Sequence, residues 1–278
     1  MLLSAAILPI DDIVSALRYP LYEAAAARVV PKTGHQSKIS LRDAIIKLTD
    51  GGAIDRGKFF QLYSGSGGYP GELEQVLSKP SQSKIHITSS NVSYYTNLLW
   101  PLGLSNYMAA NAESPINSDG LDSFASTGGW TLGQAENGAT YFNKLKIVPL
   151  TPEQEARVVA IAQSAYRPCC DNSTFFQDCN HGSALLGLLQ LGVSEGLSDD
   201  ELYREALAFN SFWFPDAYIQ TALYFEVFNK LSWNRLDPRT IMGFDYSAIS
   251  GWQRNVAMRV ASVPGLVPGA EGGAGCGV

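Results

Sequence analysis

Residues able to bind a soft ion or act as a nucleophilic thiol are scarce in this 278-residue chain, which holds three histidines and four cysteines. Charge is sparse too, at 17% of residues with a formal net charge of −6. No stretch forms a basic stripe, which argues against a nucleic-acid groove. Membrane-spanning helices need about 18 or more continuous apolar residues, and the longest runs, such as Ala184 to Val193, fall far short. The body is therefore expected to be soluble. Apolar residues make up 46% of the chain, which excludes a disordered protein and provides for a buried core without disulfides.

Of the scarce residues, most sit together. Cys169 and Cys170 are adjacent, Cys179 follows, and His181 lies two residues further on. The fourth thiol, Cys276, is third from the end in a Gly-rich segment. Thiolate and imidazole ligands favour Zn, Cu or an iron–sulfur cluster over Mg or Ca.

Helix signals frame this cluster. Thr151-Pro152-Glu153-Gln154 sets an N-cap, an N1 proline and a capping-box partner in order, predicting a helix to about Tyr166. Pro168 places Cys169 and Cys170 outside it. Asp178 or Asn180 caps the next helix, which runs to Val193 and carries Cys179 and His181 at or in its first turn. A helix N-terminus lowers a thiol pKa and favours the thiolate.

Elsewhere the pattern predicts helices over residues 11–30, bent or broken near Pro20, from Ser40 to Gly51, over 71–78 and over 91–102. Further helices are expected over 198–210, 215–230, from Asp237-Pro238, and over 250–260. Strands are expected near 84–88 and 141–148. The result is a mainly α protein with a minor β element. Its organisation reads as an irregular α/β portion over 1–150, a helical portion carrying the Cys/His cluster over 151–263, and a flexible tail over 264–278. The Asn-, Ser- and Gly-rich stretch from Ser105 to Asn137 is either a surface excursion or a binding loop anchored by Trp130.

The remaining candidates are weaker. His86 alternates with Ile85 and Ile87 and is expected to face solvent, while His35 sits in a polar loop. Gly65, Gly67 and Gly68 lack the Lys-Ser/Thr of a phosphate loop and read as a turn. A cysteine hydrolase would have to pair Cys169 or Cys170 with His181, with Asp178 orienting the ring. The aromatic run Phe209, Phe212, Trp213 and Phe214 reads as core.

Three functions follow. The first is a soft transition-metal protein, serving trafficking or sensing, that uses Cys169, Cys170, Cys179 and His181, with Cys276 as a mobile ligand on a tail whose r.m.s. reach is roughly 20 Å. The second is thiol-disulfide exchange with a partner thiol protein, with Cys179 reactive and Cys170 or Cys276 resolving. The third is a peptide- or glycan-binding module with structural cysteines.

The segments Arg167-Pro168-Cys169-Cys170, Asn172-Ser173-Thr174-Phe175 and Asp178-Cys179-Asn180-His181-Gly182, with the ending Cys276-Gly277-Val278, resemble an uncharacterised bacterial protein family. That resemblance implies no activity. It does imply a hydrophobic leader, of which Met1 to Pro9 would be a remnant and which would make the protein extracytoplasmic.

Overall fold

The computed structural model describes residues 10–64, 71–118 and 120–268. It is mainly helical, with a single antiparallel pair of strands among the described residues, as the sequence pattern predicts. None of the described helices is long and apolar enough to cross a membrane.

The centre of the fold is a crossing of two apolar helices, α5 (Val92–Ser105) and α7 (Asn180–Ser194). Every residue of α7 from Gly182 to Val193 is buried. Glycine decides how close the helices come. A Cβ on Gly103 would lie 1.8 Å from the Ser183 carbonyl oxygen, and one on Gly187 would lie 2.5 Å from that of Leu99. Backbone therefore packs against backbone, which fixes where α7 begins. Around this crossing, one hydrophobic cluster draws on residues from Ile39 to Met242 and so from both sides of residue 150. A second cluster joins Ala25 and Val29 of α1 (Ile10–Val29) to α9 (Pro215–Tyr224) and to Val256, Val260 and Leu266. The chain is thus packed as far as Val267, inside the segment 264–278 expected to be tail.

The capping signatures at Thr151, Ser198 and Asp237 hold, whereas the cap of α7 falls on Cys179 and not on the expected Asp178 or Asn180. Thr151 and Gln154 form a capping box on α6 (Pro152–Ser164), as do Ser198 and Glu201 on α8 (Asp199–Trp213). Asp237 accepts from the Arg239 amide at the start of a short helix over Pro238–Met242. The helix expected over 215–230 is α9 continued by a π-turn over Phe225–Asn229.

Two strand expectations need correction. The strand near 84–88 is β2 (Ser81–Ile87), but its partner is β1 (His35–Arg42), in a region read as loop followed by a helix from Ser40. Glu195 holds Ser40 in the strand, accepting from its amide (2.9 Å) and its hydroxyl (2.7 Å). The helix starts only at Ala44. The other expected strand, 141–148, is not one. It makes a single bridge, Leu145 to Asn106, and the buried Asn106 side chain takes over the backbone groups beyond it. Its Oδ1 accepts from the Ile147 and Val148 amides, and its Nδ2 donates to the Val148 carbonyl. An amide that satisfies three backbone groups removes the need for a neighbouring strand.

The Ser105–Asn137 stretch is built of short 3-10 turns folded onto the core. Trp130 is buried against Trp100 (ring centroids 4.3 Å apart) and Tyr141 (5.6 Å), so its ring anchors the stretch inward. The predicted turn at Gly65, Gly67 and Gly68 lies outside the described residues.

Candidate functional site

After α6 the chain leaves helical conformation and folds across the start of α7. Thr174 closes this loop onto the end of α6, donating from its amide (2.9 Å) and its hydroxyl (2.8 Å) to the Ala165 carbonyl. The loop also meets the C-terminal helices. Cys170 accepts from the Ile249 amide (3.1 Å), and the Asp171 carboxylate accepts from the Ser250 amide (2.9 Å). Behind it, Ser126 donates to the carbonyls of Asp178 and Gln177, so the 105–137 stretch supports the approach to α7.

Cys179 is the N-cap of α7. Its backbone is extended, and its Sγ accepts from the Gly182 amide at 3.4 Å, where a serine or aspartate oxygen more often sits. The second partner of this sulfur is Arg167, a wholly buried residue whose Nε donates to Sγ at 3.2 Å. The rest of the guanidinium is committed to the Asn172 carbonyl (3.0 Å), the Phe176 carbonyl (3.4 Å) and the Asp178 carboxylate. Asn172 in turn donates to the other oxygen of Asp178 (2.8 Å). Gly182 makes room for this arrangement, since a Cβ there would lie 2.6 Å from Arg167 Cζ. The guanidinium thus lies flat against the first turn of α7, with its charge beside the sulfur.

The structure brings Cys169 to the same point, its Sγ 3.9 Å from that of Cys179. All three described cysteines are free and partly buried. Their ionisation is split. Hydrogen bonds from the Cys169 and Cys170 thiols, joined by the charge of Arg167, hold Cys179 well below the ordinary thiol range. Hydrogen bonding to its two neighbours, together with burial, drives Cys169 far up. For Cys170 the bond with Cys169 lowers the pKa, but the bond with Cys179 and burial outweigh it and push the thiol up to about 11. Of the three sulfurs, the site therefore favours ionisation at Cys179 over Cys169 and Cys170. Burial also raises Asp178, against the pull of Arg167.

His181 does not join the sulfurs. Its ring packs on Phe214 (4.8 Å between centroids) and Trp213 (5.6 Å) and lines a cavity of about 130 Å³ with Thr96 and Asn97 of α5. Burial lowers its pKa, so the ring is neutral. Residues two apart at a helix start point to different sides, which is the physical reason for this separation. Asp178 binds Arg167 and Asn172 instead of the imidazole, so the hydrolase dyad is not assembled. Among the described residues, no group of three or more His, Cys, Asp or Glu is arranged to hold a metal ion. Cys276 lies outside the described residues. Of the other histidines, His86 is exposed, with Nε2 on the Thr33 carbonyl (2.8 Å), and His35 pairs with the buried Glu205 (3.1 Å).

Two residues central to the site, Arg167 and Gly182, have no motif of their own. The usable signal was an arginine between a secure helix end and a proline, next to cysteines, in a chain with few charges. No protein-family model, curated protein or solved structure matches the chain.

Proposed function

We propose that this protein is a thiol redox protein in which Cys179 is the nucleophilic thiolate and Cys169 the resolving thiol. The observation that carries this reading is the contact set of one sulfur. Cys179 Sγ has a fixed positive charge at 3.2 Å, a helix N-terminal amide at 3.4 Å and a second thiol at 3.9 Å. A thiolate attacks a disulfide sulfur, forms a mixed disulfide and expels one thiolate of the partner. Cys169 then gives up its proton and attacks Cys179 Sγ, expelling the second partner thiolate. The protein gains an internal disulfide, and the partner disulfide is reduced to two thiols. Closing the pair from 3.9 Å to the roughly 2.05 Å of a disulfide requires a short sulfur displacement. Peptide mapping after treatment with oxidised glutathione tests the reading. A Cys169–Cys179 disulfide, lost in Cys179→Ser, is expected, and an unchanged count of free thiols would end it.

A soft-ion site is the second reading. The 3.9 Å separation of Cys169 and Cys179 is close to the ~3.8 Å between two thiolates on a tetrahedral zinc with Zn–S near 2.3 Å. In that reading Arg167 balances the thiolate charge, and His181 must turn away from Trp213 and Phe214 to ligate. Anaerobic titration of the reduced chain with Zn(II) and Cu(I) tests it, with binding lost in Cys169→Ser expected. A metal content below about a tenth of an equivalent after reconstitution would refute it.

A further inference from the structure

We infer that the outer edge of β2 is a docking edge for a partner polypeptide, which adds to the sheet as a third, extended strand carrying acidic side chains. It is independent of the cysteine chemistry and follows from how differently the two edges of the sheet are finished. In an antiparallel pair, alternate N–H and C=O groups of each strand point away from the partner strand and need other hydrogen-bond partners. On β1 they find them. The Lys38 amide donates to Glu205 (2.9 Å) and the Ser40 amide to Glu195 (2.9 Å), so two carboxylates close that edge.

The edge of β2 has no such closure. Among the described residues, no amide from Ser81 to Ile87 bonds to a side chain or to backbone outside the strand pair. Carbonyls towards the end of the strand are taken, because Gln36 donates to those of Lys84 and Ile85 (3.2 Å each) and Asn91 to that of His86 (3.0 Å). The open run is therefore Ser81 to Lys84, about 13 Å at 3.3 Å per residue. Gln82, Ser83 and Lys84 are also exposed.

Edge strands are commonly guarded against pairing by an outward lysine or by a covering element. Lys84 does not guard this one, since its ammonium is drawn to Glu195 (2.5 Å), the residue that closes the β1 edge. Instead of a cover there is a groove of about 590 Å³ between the strand, α4 (Gly71–Val76) and the start of α5. Leu41, Val76 and Ile85 give it an apolar lining on which alternate side chains of an added strand can pack.

Charge selects the occupant. Lys79, Lys84 and His86 line the groove, and no Asp or Glu does. Lys79 has no ion-pair partner among the described residues. A second copy of this chain would bring the same lysines to the groove, so a foreign strand carrying Asp or Glu fits the lining better.

The test selects displayed random nonapeptides on the full chain and follows amide exchange of the chain with a selected peptide made synthetically. Selected sequences should alternate apolar residues with Asp or Glu, and binding should slow exchange at amides within Ser81 to Lys84. N-methylation of one alternate set of peptide amides should abolish binding, and of the other set should not. Lys79→Gln should weaken an acidic peptide about 2–5-fold, as for loss of one exposed ion pair. A selection that yields no binder, or binding that leaves exchange over Ser81 to Lys84 unchanged, overturns the docking edge. Binders without acidic residues overturn the assigned chemistry, and concentration-dependent dimers with the same amides protected overturn the foreign partner in favour of a second copy.

Discussion

Replacing Arg167 by methionine keeps the length and much of the apolar stem but removes the charge beside Cys179. The Nε to Sγ distance of 3.2 Å places the centre of the guanidinium about 4 Å from the sulfur. At an effective dielectric near 20 that separation is worth about 4 kcal/mol, or about 3 pKa units at 1.36 kcal/mol each. Desolvation of the sulfur opposes this attraction and brings the expectation to about 1–3 units, the usual range for an opposite charge in contact. The assay is the rate of Cys179 alkylation by iodoacetamide against pH, read by peptide mass so that Cys169 and Cys170 are followed separately. The midpoint for Cys179 should rise by that amount in the variant. Methionine also leaves Asp178 without its cation, which costs about 3–5 kcal/mol for a buried pair broken on one side. Arg167→Lys is therefore measured alongside. It keeps the charge but not the planar fork that also serves the Asn172 and Phe176 carbonyls. Lysine should preserve most of the depressed midpoint while lowering stability. A folded Arg167→Met protein whose Cys179 midpoint moves by less than about half a unit would refute the electrostatic account of this thiolate.

Other outcomes follow from the same geometry. Gly182→Ala drives a methyl into Arg167 at 2.6 Å and should cost about 1–3 kcal/mol in denaturant unfolding, with a raised Cys179 midpoint because the guanidinium must shift. Gly103→Ala meets backbone rather than a movable side chain, 1.8 Å from the Ser183 oxygen. It should lower stability by more than Gly182→Ala and, because it displaces the start of α7, raise the Cys179 alkylation midpoint of any folded fraction as well. Stability should also vary with pH in a defined sense. Cys179 and His181 have depressed folded values, so their contributions are full above the unfolded values of about 8.5 and 6.5 and are lost as pH falls through the folded ones. Cys169 and Cys170 are raised, so theirs are full below about 8.5 and are lost as pH climbs. The thiol contribution should peak near pH 8.5, and His181→Phe should flatten the loss below pH 6.5, both read from urea midpoints across pH. Trp130→Ala should cost about 3–5 kcal/mol, as for a core tryptophan, which a ligand-anchoring surface ring would not.

Much of the helical frame was legible because its signals are local. A proline at N1 with a glutamine two residues on, or a serine three residues before a glutamate, satisfies backbone groups within one turn, and such a signature works wherever the helix packs. The β1–β2 pairing was not legible. Ser40 joins a strand because Glu195, far along the chain, captures its amide and hydroxyl. Likewise 141–148 stays irregular because the side chain of Asn106 does what a neighbouring strand would have done. Trp130 in a polar stretch gave no sign of facing inward, since its partners Trp100 and Tyr141 come from separate segments.

The sequence by itself placed Cys169 and Cys170 just after a helix ended by Pro168 and Cys179 at the start of the next, within a loop too short to separate them far. The tertiary structure turned His181, which the sequence grouped with those thiols, away from them and onto Phe214 and Trp213. Only the tertiary structure decided which thiol ionises and which neighbour faces it. Arg167 reaches the sulfur because the glycine contacts of α5 and α7 fix where α7 begins, and Gly182 leaves the width of a guanidinium beside its first turn. A charge that acts over a few ångströms has no signature in sequence spacing, and at this site it sets the Cys179 sulfur apart from those of Cys169 and Cys170.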